Sequence, residues 1–61
     1  MYEIIDTKTG KTATAYQWSI RENARRVCQS MNIKRCGLEE IEKPEQQRRY
    51  ITKERQSNGS I

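Results

Sequence analysis

A small α+β protein of ββαβ order is the expectation for these 61 residues: a β-hairpin, extended by a third strand, packed on one amphipathic helix. Three observations lead there. Tyr2–Asp6 is β-branched and aromatic, residues 12–16 alternate, and the stretch between them is turn-forming. Residues 19–31 carry apolar side chains at helical spacing. A lone two-stranded hairpin is marginal in water, so another segment must supply a third strand.

The hairpin turn is Asp6-Thr7-Lys8-Thr9-Gly10-Lys11. An aspartate side chain bonds backbone N–H groups at the start of a turn, and glycine supplies the left-handed conformation that closes it. Thr9-Gly10-Lys11-Thr12 echoes the end of a phosphate-binding loop, but the earlier glycine and the following helix are missing. Tyr2, Ile4 and Asp6 share one face of the first strand, and Ala13 and Ala15 one face of the second, where small side chains let a helix approach.

The helix is read as residues 19–31. Ser19 and Glu22 have the spacing of a capping box, and Glu22 and Arg26 stand four apart in the favourable order for an ion pair. Ile20, Ala24, Val27, Cys28 and Met31 form the apolar stripe. Trp18 precedes the cap, and because the staple position opposite it is Asn23, it is expected to pack on the sheet instead. Asn32 reads as a left-handed helix cap, Ile33 as folding back, and residues 34–37 as a loop.

Residues 38–43 are assigned as the third strand, with a short helical turn as the alternative that the spacing of Leu38 and Ile41 favours. Pro44 breaks that segment or starts a polar helix. Residues 45–55 offer Tyr50 and Ile51 as their apolar residues, so they form a weak-faced helix or, over residues 48–52, a fourth strand. One domain spans residues 1–55, and residues 56–61, rich in Ser, Asn and Gly, form a disordered tail that contains the sequon Asn58-Gly59-Ser60.

Composition bounds function. The chain is 33% hydrophobic with one Trp and no Phe, and its mean hydropathy is −1.11. A domain of this length buries only about 60% of its unfolded surface. The core must be thin, and the apolar surplus of Tyr16, Trp18 and Ile33 points to a homodimer. There is no His, and two thiols do not fill a zinc site, so no metal or cofactor is expected. Cys28 lies on the helix stripe and reads as a small hydrophobe; a Cys28–Cys36 disulfide is left open. No secretory signal or membrane span is visible, and a cytoplasmic, reduced protein is the expectation.

Catalysis has little to work with. General acid–base chemistry would fall to Glu3, Asp6 or the group Glu39, Glu40 and Glu42, which instead suit a solvated face or pairing with Arg48, Arg49 and Lys53. Binding is better supported. Residues 19–35 hold five cations against one carboxylate, a formal +4 that equals the whole chain's net charge. Arg21, Arg25, Gln29, Lys34 and Arg35 are the candidate contacts to a nucleic acid or an acidic partner, and Trp18 with its flanking arginines the candidate contact to a protein. Tyr50 among Arg48, Arg49 and Lys53 has the chemistry to stack a base but is expected in the core.

The run Tyr2-Glu3-Ile4-Ile5-Asp6-Thr7-Lys8-Thr9-Gly10-Lys11, followed by a helix bearing Ala24-Arg25-Arg26, resembles short reading frames of phage and prophage genomes. The resemblance covers the first half of the chain. It implies an accessory factor that binds host or phage macromolecules and brings no catalytic residues with it. A non-catalytic binding protein acting through a protein partner is therefore the first functional expectation, and a nucleic-acid-binding protein the second.

Overall fold

Strand β1, Tyr2–Asp6, is the organising element of the computed structural model, which describes residues 1–55. The tail 56–61 and its sequon lie outside the described residues. The Asp6 carbonyl accepts from the N–H groups of Thr9 (3.2 Å) and Gly10 (2.7 Å), and its carboxylate accepts from the Lys8 N–H at 2.9 Å. Gly10 closes the turn at φ 77°. Strand β2, Lys11–Thr12, then pairs antiparallel with Asp6 and Ile5.

The second strand is shorter than the alternation of residues 12–16 suggests. After the Ala13 N–H reaches the Ile4 carbonyl (2.8 Å), the chain leaves the sheet and rejoins it at Trp18, which exchanges both backbone hydrogen bonds with Tyr2 (2.7 and 2.8 Å). The Thr14 hydroxyl bonds the Tyr16 carbonyl at 3.2 Å, a local bond that competes with the ladder. Ala15 is consequently exposed, while Ala13 and Trp18 pack against the core as expected of Trp18.

Helix α1 is Arg21–Cys36, later at both ends than residues 19–31. Ile20, not Ser19, occupies the cap position, its carbonyl accepting from Asn23 and Ala24, and no side chain caps the helix. The capping box does not form: Glu22 turns instead to Arg25, 3.5 Å away, rather than to Arg26. Nor does Asn32 end the helix. α1 continues through residues 34–36 until Gly37, at φ 93°, donates its N–H to the Ile33 carbonyl. Lys34 and Arg35 thus lie in the last turn, where the helix dipole favours cations.

Asn32 has a different task. It is 1% exposed, its Nδ2 donates to the Tyr50 carbonyl (3.0 Å), and its Oδ1 accepts from the Tyr50 N–H (2.9 Å). The buried face of α1 is Ala24, Cys28 and Asn32, one residue every four, so the stripe is rotated from the one read by hydrophobicity. Ile20 and Val27 face outward. Fully buried Ala24 provides the close approach of helix to sheet.

Residues 38–43 are not a strand. Leu38–Glu42 forms a 3₁₀ helix against α1, and a second one, Glu45–Gln47, follows Pro44. Leu38 is exposed while Glu40 is buried, accepting the Arg49 N–H at 2.6 Å and the Lys43 ammonium at 3.1 Å. That inward carboxylate fits a helical turn and leaves no apolar face for a strand. The third strand is β3, Tyr50–Glu54, antiparallel to β1 from Asp6↔Tyr50 to Tyr2↔Glu54. The sheet order is β2-β1-β3, with ββαβ order along the chain.

The core is Ile4, Cys28 and Tyr50, bordered by Ala13, Trp18, Met31 and Cys36. Tyr50 is thus a core residue; its hydroxyl accepts from Arg35 Nη1 (3.1 Å), and the Arg35 and Arg49 guanidiniums lie 5.6 and 5.4 Å from its ring centre. Cys28 and Cys36 are free thiols in one helix. Eight residues of helix separate their Cα atoms by about 12 Å, beyond the roughly 7 Å a disulfide spans. Burial pushes the Cys28 thiol up from its ordinary pKa, which disfavours the thiolate.

Arg49 ties β3 to the hairpin through a two-pronged pair with Asp6 (2.8 and 3.1 Å). The Arg49 hydrogen bond holds the Asp6 carboxyl below its ordinary 3.8, and the Lys43 hydrogen bond holds Glu40 below 4.5. Both carboxyls bind protons more weakly folded than unfolded. Their stabilisation is complete above 4.5 and is lost as the pH falls through the lowered folded values. Thermal unfolding followed from pH 7 downward should therefore show the melting temperature falling below 4.5, with a flatter fall in Asp6→Asn. A profile identical in that variant would remove Asp6 from the account.

Candidate functional site

Two surfaces of α1 remain once its buried face is assigned. On one side lie Ile20, Val27 and Met31, which helical periodicity places in line. α1 packs chiefly on β1, β3 and the Leu38–Glu42 helix; Met31 on this side borders the core, while Ile20 and Val27 are exposed. Tyr16 and Trp18 precede Ile20 in the chain; their rings are 4.8 Å apart at 58°, Trp18 anchored on the core and Tyr16 63% exposed. With Ile20 56% exposed, this is an apolar ridge with one anchored aromatic.

On the other side, Arg25, Arg26 and Gln29 line a groove of ≈ 200 Å³ between α1 and β3, with Arg48 and Thr52 opposite. Arg25 is held between Glu22 (3.5 Å) and Glu45 (3.7 Å), so it is paired rather than available. Arg26 has no carboxylate partner among the described residues. Arg48 has none either; its guanidinium donates to the carbonyls of Ile41 (2.7 Å) and Lys43 (3.1 Å).

The five cationic and amide positions read as one row are therefore divided. Arg21, Arg25 and Gln29 share a flank of α1, one turn apart. Lys34 lies roughly 140° round the helix from Arg21. Arg35 is engaged with Tyr50. Counting 100° per residue would have separated Lys34 from the sequence alone. Arg26 and Arg48 are groove residues that sequence reasoning missed, Arg26 because it was assigned to Glu22, and Arg48 because its place depends on where β3 begins.

Three of the carboxylates considered for acid–base chemistry are held by cations: Asp6 by Arg49, Glu40 by Lys43 and the Arg49 N–H, and Glu3 lies 3.8 Å from Arg55. Among the described residues, no group of three or more potential ligands is placed to hold a metal ion, and no helix is long and apolar enough to cross a membrane. The surface carries an apolar ridge on one side of α1 and a polar, cation-bearing groove on the other. Searches against protein-family models, curated protein sequences and solved structures returned no match.

Proposed function

We propose that the chain is a non-catalytic binding protein that acts through a protein partner at the ridge of Tyr16, Trp18, Ile20 and Val27, flanked by Arg21. The exposure of Ile20 and Tyr16 beside anchored Trp18 carries this reading, because a chain so poor in apolar residues leaves several of them outside its core. Aromatic anchors ringed by arginine are the usual centres of binding energy in protein interfaces. A homodimer built on the same ridge is part of the proposal. So are a cytoplasmic setting, which suits two reduced thiols, and the role of a phage or prophage accessory factor.

Nucleic-acid binding is the second reading, favoured by the flank Arg21, Arg25 and Gln29 with Arg26 beside it. The division of the cationic row, and the pairing of Arg25, weigh against it.

The test uses a variant carrying Ile20→Ser and Val27→Ser. Both side chains are exposed, and serine at the Ile20 cap position can cap α1, so the variant's unfolding curve should match the parent's or lie above it. Light scattering at micromolar concentration should give a dimer mass for the parent and a monomer for the variant, and immobilised parent should retain a host or phage protein that the variant does not. A monomeric parent defeats the dimer. Equal capture by both defeats the ridge, and duplex DNA binding that falls by orders of magnitude between about 50 and 200 mM salt would install the second reading.

A further inference from the structure

The register of the sheet leaves one row of backbone groups unused. Tyr2 exchanges hydrogen bonds with Trp18, and the Ile4 carbonyl accepts from Ala13, so the even residues of β1 point theirs towards β2. Glu3 and Ile5 therefore point towards β3, opposite Lys53 and Ile51. Tyr50, Thr52 and Glu54 must then direct their N–H and C=O groups away from the sheet. At Tyr50 both groups are taken by the Asn32 carboxamide (2.9 and 3.0 Å), the same donor and acceptor pair that a residue of a neighbouring strand would offer. At Thr52 and Glu54 neither group has a partner among the described residues.

This edge forms one wall of the groove described above. Glu22, Arg25, Arg26 and Gln29 of α1 line the same groove, together with Glu45 and Arg48. Arg26, Arg48 and Lys53 have no carboxylate partner among the described residues, whereas Glu22 and Glu45 are both drawn to Arg25.

We propose that the outer edge of β3 accepts an added strand from an extended peptide that carries carboxylates, its backbone pairing with Thr52 and Glu54 and its acidic side chains meeting Arg26 and Arg48. The mode is strand addition, in which main-chain bonds give affinity and alternate side chains give specificity. A second copy of the chain is disfavoured in the antiparallel registers centred on Thr52 and Lys53. A two-fold axis through Thr52 sets the partner's Glu54 against Tyr50, whose groups Asn32 already holds. An axis through Lys53 sets that ammonium against its own copy, and like charges directly opposite are destabilising. This surface is separate from the apolar ridge and goes beyond the function proposed for it.

The probe is a short blocked peptide of alternating glutamate and valine, titrated into the ¹⁵N-labelled full chain at about 50 mM salt, where surface charges are weakly screened. The Thr52 and Glu54 amides should shift saturably, and their hydrogen exchange should slow by about tenfold. The lysine counterpart of the peptide should bind far more weakly, N-methylation of the peptide's backbone should abolish the effect, and Arg26→Gln should weaken binding several-fold while leaving the unfolding curve unchanged. Ile20→Ser with Val27→Ser should leave it intact, which separates this inference from the ridge. The proposal is overturned if Thr52 and Glu54 do not shift, if the N-methylated peptide binds equally, or if a short oligothymidylate shifts the same amides more strongly than the acidic peptide.

Discussion

Replacing Asn32 with leucine is expected to remove most of the chain's stability. The side chain is similar in size and more apolar, so hydrophobicity alone would forecast a gain. The structure forecasts the opposite. Asn32 is the partner of both backbone groups of Tyr50, a residue 3% exposed, and leucine leaves a buried N–H and a buried C=O unpaired. Each orphaned group costs about 1–3 kcal/mol, or about 2–6 kcal/mol together. A domain of this length has roughly 3–9 kcal/mol in all. Urea denaturation should show a midpoint displaced far to lower concentration, or no folded baseline. An unchanged midpoint would mean that water reaches Tyr50 and satisfies it.

Asn32→Asp sharpens the argument, because the introduced carboxyl changes its hydrogen bonding with pH. Ionised, it accepts from the Tyr50 N–H but faces the Tyr50 carbonyl with no donor. Protonated, it donates again. Burial raises its folded pKa above the unfolded value of about 3.9, so the recovered stability is complete below that value and is lost as pH rises through the folded one. Asp6 and Glu40 act in the opposite direction, so the quantity to plot is the difference between variant and parent at each pH. A pH-independent difference would show that Asn32 acts by packing alone.

Asn32 also marks where sequence reasoning stops. By local logic an asparagine after an apolar stripe is a helix cap, and nothing within the helix says otherwise. Its partner is 18 residues away in a strand whose position was itself open. The hairpin was legible because its determinants, the Asp6 carboxylate and Gly10, act within the turn they build. Trp18 on the sheet followed from the polar Asn23 at its staple position, and Tyr50 in the core from the scarcity of other large apolar groups. The helix was legible as an element but not in its rotation. Ile20 and Val27 look like core and Asn32 like surface, and the structure reverses both because two hydrogen bonds to β3 fix which side of α1 meets the sheet. The same reversal creates the ridge, so the apolar half of the candidate site was hidden by the rule that hydrophobic residues are buried. In the groove, the pairing of Arg25 depended on Glu45, whose 3₁₀ turn no periodicity announces.

Ile4→Ala is the second change expected to be severe, and it fixes how the functional tests must be read. Ile4 is 0% exposed on the central strand, packed in one cluster with buried Cys28 and Tyr50. Truncation removes about 2–5 kcal/mol through lost burial and the cavity left behind. With roughly 3–9 kcal/mol available, the variant should be largely unfolded or melt many degrees lower. Circular dichroism melts of parent, Ile4→Ala and Ile20→Ser should place the third level with the first or above it, because serine can cap α1, and the second far below. The two isoleucines are the same residue type and differ in exposure by 56 percentage points. Any partner lost with Ile4→Ala but kept by Ile20→Ser is lost through unfolding, whereas one lost with Ile20→Ser alone is bound at the ridge. Should Ile4→Ala melt with the parent, Tyr50 has collapsed into the vacated space, and the Asn32 bonds that position Tyr50 would have to lengthen or break to allow it.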